Sequence, residues 1–209
     1  AEPPPAVPTP PRARGPWYLR LGCGMGGATV RTGGRGMGFS PPNANVPIPM
    51  AFVAGLGMAV GDHVAVGGEW SWSYSAHSFD PDRVDLHDRD LRLWHLAAVA
   101  TAHPIDQRRP DWPDVPLAPR GPYVRAGLAA AFLDSQPDLS YAPAGSAPWH
   151  ARGVGVIAGG GWGWRIAERT DWAFDVSLDL TLDFFGATSD PTSPSRAVGF
   201  QIDFGANLF

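Results

Sequence analysis

The chain has one cysteine in 209 residues, few charges and no long apolar run. A single thiol, Cys23, cannot close an internal disulfide, so cysteine usage does not identify the redox compartment. No stretch of about 20 apolar residues is present, which excludes a membrane-spanning helix. Any membrane role must therefore come from strands. Charged residues make up only 17%, and the formal net charge of −4 leaves no basic footprint, which argues against nucleic-acid binding. The six histidines never fall in a ligand pattern, so no metal and no cofactor is expected.

What is present is alternation. Residues 172–184 place Trp172, Phe174, Val176, Leu178, Leu180, Leu182 and Phe184 on one phase of a strand, and Ala173, Asp175, Ser177, Asp179, Thr181 and Asp183 on the other. A period of two sustained this long exceeds the roughly 5 or 6 residues of an ordinary soluble strand. An apolar face opposite an acidic one suits a wall between lipid and a polar lumen.

The pattern recurs near 17–25, 52–60, 64–74, 124–132, 154–166 and 198–208, each with an uncharged apolar phase. The ionisable residues of these strands, Arg20, Glu69, Arg125, Arg165, Asp175, Asp179, Asp183 and Asp203, all fall on the opposite phase. They form the candidate lumen charge network. A cost of about 2–4 kcal/mol for Arg or Lys at mid-bilayer explains such sorting. The segment near 91–102 is ambiguous: either Leu91, Leu93, His95, Ala97 and Val99 face outward, or Trp94, Leu96, Ala98, Ala100 and Ala102 do. The second phase is preferred, because it removes His95 from lipid and leaves Arg92 free to snorkel at the rim.

Connection lengths alternate. Long links are expected at 31–49, 75–90, 133–152 and 186–196, and short ones at 61–63 and 167–171; the Pro-rich link at 103–119 stands where a short turn belongs. Long outside loops and short periplasmic turns would place both termini in the periplasm. Threading the strands up and down collects Trp17, Tyr123, Trp162, Trp164, Trp172 and Phe209 at one end, and Phe52, Trp70, Trp72, Tyr74, Trp94, Phe132, Phe184 and Phe200 at the other. Trp17, Trp70, Trp72, Trp162, Trp164 and Trp172 are the candidate lipid-interface residues, since headgroup regions favour aromatic girdles. Residues 1–15 contain six prolines and are read as an extended periplasmic leader, with the barrel spanning 16–209. A first residue other than Met fits a removed secretory signal.

On these residues the chain resembles the small eight-stranded outer-membrane barrels of the OmpA, OmpX and OmpW class. It shares their final aromatic and preceding glycine in Phe204-Gly205-Ala206-Asn207-Leu208-Phe209, similar to the terminal signal read by the barrel-assembly machinery. The fold expected is all-β: an eight-stranded antiparallel up-and-down transmembrane barrel. The resemblance implies a non-enzymatic integral protein of a Gram-negative outer membrane, serving as envelope scaffold, surface-loop platform or anchor of an assembly. Its expected partners are membrane lipids and lipopolysaccharide, with a periplasmic or outer-membrane protein as a further partner. An OmpW-like barrel for a small apolar ligand is the alternative, suggested by inward glycines at 55, 57, 67, 155, 159, 161 and 163.

Three local features have ordinary readings. Gly22-Cys23-Gly24-Met25-Gly26-Gly27 matches a dinucleotide fingerprint, but no helix pattern follows, and lumen packing is favoured. His77, Ser78, Asp80 and His150 resemble the rim residues of a lipid A deacylase, yet they fall in Asp-, Ser- and Pro-rich loops where exposure is the default. No catalytic residue is therefore assigned. Glu69, Asp179 and Asp183 are read as solvated carboxylates near a lumen mouth, and Arg20, Arg125, Arg165, Asp175 and Asp203 as a paired group nearer the periplasm.

Overall fold

The computed structural model describes residues 17–32, 35–39, 49–60, 63–78, 89–104, 121–138, 140, 148–164, 172–186 and 194–208. The expectations for the leader, Asp80, Arg165, Phe209 and most of the Pro-rich link lie outside them. The strands are β1 (Trp17–Thr32), β2 (Arg35–Phe39), β3 (Met50–Ala59), β4 (Val64–Ser78), β5 (Arg89–Ala102), β6 (Gly121–Pro137), β7 (Trp149–Trp164), β8 (Trp172–Phe185) and β9 (Pro194–Leu208). All pairings are antiparallel, and β9 returns to β1 from Leu19↔Leu208 to Arg31↔Arg196. The eight long strands thus close an up-and-down barrel. Closure gives each of them two neighbours, so no sheet edge is left to face hydrocarbon.

The short strand β2 falls inside the long link expected at 31–49, a ninth strand that the eight-strand reading did not include. It pairs with β1 from Val30↔Met37 to Thr32↔Arg35 and with β4 at Gly38↔Ser78 and Phe39↔His77. β3 meets β1 only as far as Gly24↔Ala51 and β4 as far as Met50↔Tyr74. Beyond that level β2 takes its place in the wall. Its sequence, Arg35-Gly36-Met37-Gly38-Phe39, alternates glycine with larger residues and carries little strand propensity of its own.

The alternation near 172–184 is realised as a burial pattern of strict period two in β8. The outward side chains along the barrel wall, such as Leu178 (48% exposed), Leu180 (55%) and Leu128 (71%), form an apolar belt. In the segment near 91–102 the preferred phase is observed: Leu91, Leu93, His95, Ala97 and Val99 are buried inside, while Leu96, Ala98 and Ala100 are exposed. The outward run Trp172 to Phe184 covers roughly 28–32 Å of height at a strand tilt of 35–45°, somewhat more than the apolar band of about 25 Å in such barrels.

At the end away from the chain termini the strands outrun the belt, and the pattern inverts. Outward positions become Arg31, Arg92, Asp134, His150, Arg152 and Arg196, all exposed. Inward positions become apolar: Ala28, Val30, Leu91, Leu93, Ala131, Leu133, Trp149, Ala151, Phe185 and Ala197 form one buried cluster. The far third of the barrel is therefore built like a soluble barrel, with its core inside. Strand β6 continues to Pro137 and β7 starts at Trp149, which shortens the link expected at 133–152.

Candidate functional site

Two places carry chemistry: the charged layer in the lumen and the line where the outer surface changes from apolar to polar. The lumen layer follows from strand phase. Even positions of β1 and odd positions of β4, β6, β8 and β9 point inward, bringing Arg20, Glu69, Arg125, Asp175 and Asp179 together from four strands. Arg20 donates from Nη1 to Glu69 Oε1 (3.3 Å) and from Nη2 to Asp175 Oδ2 (3.1 Å) and Ser177 Oγ (2.8 Å). Arg125 pairs closely with the other oxygen of Glu69. Its Nε lies 3.2 Å from Asp179 Oδ1, an ion-pair distance, but the two are not aligned for a hydrogen bond. Tyr123 Oη donates to Asp175, whose second oxygen accepts from Asn207 Nδ2 at 3.0 Å. Buried ions survive when paired and hydrogen-bonded in this way.

Glu69, Asp179 and Asp183 are not solvated at a lumen mouth. They are 9%, 6% and 0% exposed. Glu69 bridges the two arginines, and Asp183 accepts from His95 Nε2 at 3.0 Å, with His95 Nδ1 3.3 Å from Ser71 Oγ. Asp203, fully buried, accepts from Gln201 Nε2 at both oxygens (3.0 and 2.9 Å). Each of four acids also lies over the glycine directly opposite it on a neighbouring strand: Glu69 over Gly55, Asp175 over Gly205, Asp179 over Gly159 and Asp183 over Gly155. A Cβ at any of these glycines would collide with the acid side chain. These four inward glycines are seats for lumen side chains.

Below this layer, toward the termini, a cavity of about 50 Å³ is lined by Tyr18, Glu69, His103, Tyr123, Arg125 and Asn207, among others. That volume holds roughly three waters. His103 is buried beyond the end of β5, its ring against Tyr123 and its backbone N–H donating to the His63 carbonyl (2.8 Å). Burial, and secondarily the neighbouring His63, lower its pKa. Tyr123 corrects the sequence-based expectation: it is 6% exposed and belongs to the lumen, not to the interface girdle.

Above the charged layer the apolar cluster fills the interior. Arg89 closes it, with its guanidinium 3.8 Å over the Trp149 ring and Nη1 3.3 Å from Ser135 Oγ. Tyr18, His103, Gln201 and Asn207 were not singled out from sequence, although phase alone places all but His103 inside. Arg89 and Trp149 lie outside the segments that showed clear alternation.

On the outer face, Trp17 (54%), Trp162 (55%), Trp164 (43%) and Trp172 (45%) are exposed near the termini. Toward the other end, register aligns Phe52↔Trp72, Trp72↔Trp94 and Trp94↔Phe132 in one cross-strand row. Trp72 stacks on Phe52 at 5.5 Å, and Trp70 lies 5.8 Å from Trp94. The next row outward reads Tyr74↔Arg92, Arg92↔Asp134 and Asp134↔His150. The change from aromatic to charged thus occurs within one step of the alternation. Between this line and the termini, no outward-facing strand residue among those described is Asp, Glu, Lys, Arg or His. A belt of this kind belongs in a bilayer.

The described members of the hydrolase-like group, His77, Ser78 and His150, do not share one strand pair. His77 and Ser78 end β4 against β2, whereas His150 lies on β7, with β5 and β6 between, and its Nδ1 is 2.8 Å from Asp134 Oδ1. Gly22, Gly24 and Gly26 remain within β1, where a Cβ on Gly24 would strike the Ile202 carbonyl, and no helix follows them. Cys23 is exposed on the outer face.

No protein-family model and no curated protein matches the chain. Among solved structures it is similar to neisserial surface protein A, with 10% identity, 92% of this chain and 96% of that one covered, and a TM-score of 0.49. It is also similar to Ail, the attachment invasion locus protein of Yersinia pestis, with 11% identity, 91% and 98% covered, and a TM-score of 0.49. A third is the outer membrane protein OprG from Pseudomonas aeruginosa, with 9% identity, 93% and 96% covered, and a TM-score of 0.44. The likeness is one of overall architecture.

Proposed function

We propose that the chain is a non-enzymatic integral barrel of a Gram-negative outer membrane, acting as a scaffold that presents the loops of its far end. The observation that carries this reading is the combination of an ion-free apolar belt outside and a filled interior. An interior closed by paired ions at one level and by Leu91, Leu93 and Leu133 at another supports presentation over passage. Eight strands leave an interior just wide enough for side chains to fill.

The short connections at 60–63 and 165–171 share an end with the termini, which supports a periplasmic position for that end, the link at 103–120 being the exception. Lipids, including lipopolysaccharide, surround the belt in this reading. The Pro-rich leader and link then face the periplasm, where polyproline segments lose little entropy on docking a protein partner.

Extraction from membranes only by detergent, with heat-modifiable gel mobility, is the expected behaviour. Planar bilayers containing the protein should show no conductance above background. Stable single-channel steps would refute the scaffold reading in favour of transport, and release by salt or carbonate would refute the membrane placement.

A further inference from the structure

We propose that Arg31 and Arg196 form a binding site for a phosphate group, that of an anionic lipid headgroup seated at the far border of the apolar belt. The two residues are direct cross-strand partners in the β1–β9 pairing that closes the barrel. Both side chains are exposed on the outer face. Directly opposed side chains in an antiparallel pair have Cβ atoms about 4.5–5.5 Å apart, and like charges so placed repel. Neither guanidinium has a hydrogen bond or ion pair within the described structure to offset that repulsion.

Among the described residues, no acid is placed to serve them. Along the outward positions of β7, β8, β9 and β1, the described residues include no Asp or Glu, and the ionisable ones besides Cys23 are His150, Arg152, Arg196 and Arg31. Among the described strand residues the outward acids are Asp90 on β5 and Asp134 on β6, and Asp134 stands directly opposite Arg92. Arg92 therefore has an acidic cross-strand neighbour, and the Arg31–Arg196 pair has none.

Position selects the ligand. Arg196 is the cross-strand partner of Phe184 and lies one outward step from Val198, and Arg31 lies one outward step from Thr29, so the pair sits where apolar surface ends. At that height a bilayer presents phosphates. All sixteen basic residues of the chain are arginine, whose planar fork binds phosphate oxygens in pairs. Two such forks on directly opposed residues of adjacent strands suit a phosphomonoester, which offers three oxygens and more than one charge.

The site presupposes the membrane placement proposed above, and its test separates the two. The full chain is folded into nonionic maltoside micelles, and retention of phosphatidic acid is measured by native mass spectrometry. Wild type and Arg92→Gln are expected to bind it alike, R31Q/R196Q about tenfold more weakly, and R31K/R196K in between. Inorganic phosphate added to the micelles should compete only weakly. Equal retention by R31Q/R196Q and wild type would overturn the site. Competition by inorganic phosphate as strong as by the lipid would overturn its assignment to a headgroup.

Heat-modifiable mobility reports folding of each variant, and the single substitution R196Q carries the comparison if the double variant does not fold. Loss of phosphatidic acid from R31Q/R196Q with unchanged entry into phosphatidylcholine vesicles supports the site. Failure of the wild type to enter those vesicles would instead sink the membrane placement.

Discussion

Tyr18 lies against Gly57, the residue directly opposite it on β3, so closely that a Cβ there would come within 2.5 Å of the ring. The tyrosine takes the space that the glycine leaves, as aromatic residues do over glycines in curved sheets. Substitution of Gly57 by valine should therefore cost about 1–3 kcal/mol through overpacking. In a Tyr18→Ala background the same substitution should cost much less. Urea unfolding from detergent micelles measures both, and additive effects would refute the coupling.

Glu69 is the carboxylate shared by Arg20 and Arg125. Its replacement by alanine leaves two buried guanidiniums short of a partner and should destabilise the barrel by about 3–5 kcal/mol. Glu69→Gln, which keeps the shape and loses the charge, should fall between alanine and wild type. Unfolding midpoints of the three proteins in one detergent provide the comparison.

The belt predicts a depth profile. Arginine in place of Leu180, exposed in the middle of β8, should cost about 2–4 kcal/mol, and in place of Phe184, at the border, about 0–1 kcal/mol. Denaturant titration of folding into phosphatidylcholine vesicles reads both values. Equal costs would mean that the border does not lie between these rows.

His103 should make stability depend on pH. Burial and His63 set its folded pKa below the ordinary value of about 6.5, so the unfolded chain takes up the proton first as pH falls. Stability contributed by the neutral ring is complete above that ordinary value and is lost as pH drops from there through the folded value. Unfolding midpoints measured from pH 8 down to pH 4 should show this loss in wild type and a shallower one in His103→Gln.

The eight long strands were legible because lipid imposes a strict rule on alternate residues. The belt phases of β1, β3, β4, β6, β7, β8 and β9 follow from it. The segment near 91–102 was ambiguous for a physical reason: β5 crosses the border, so Leu91 and Leu93 belong to an apolar interior while Leu96 and Ala98 belong to an apolar exterior. A single phase rule cannot read both halves. The same crossing hid the outer parts of β6 and β7. Membership of the lumen layer was visible for Arg20, Arg125 and Asp175, but the partners were not, because Arg20 and Glu69 are 49 positions apart and their contact is set by register. Strand β2 left no readable trace, since its pairing is dictated by the gap above β3.

The reversal of the far third has a consequence for how this protein can change. A stopper of leucine, alanine and phenylalanine closes this end of the barrel over the ionic level beneath. In the membrane placement proposed above, the links that join the strands at this end can then accumulate substitutions or lengthen without opening a path through the interior. Diversification of those links and closure of the interior are thereby decoupled within one small cylinder.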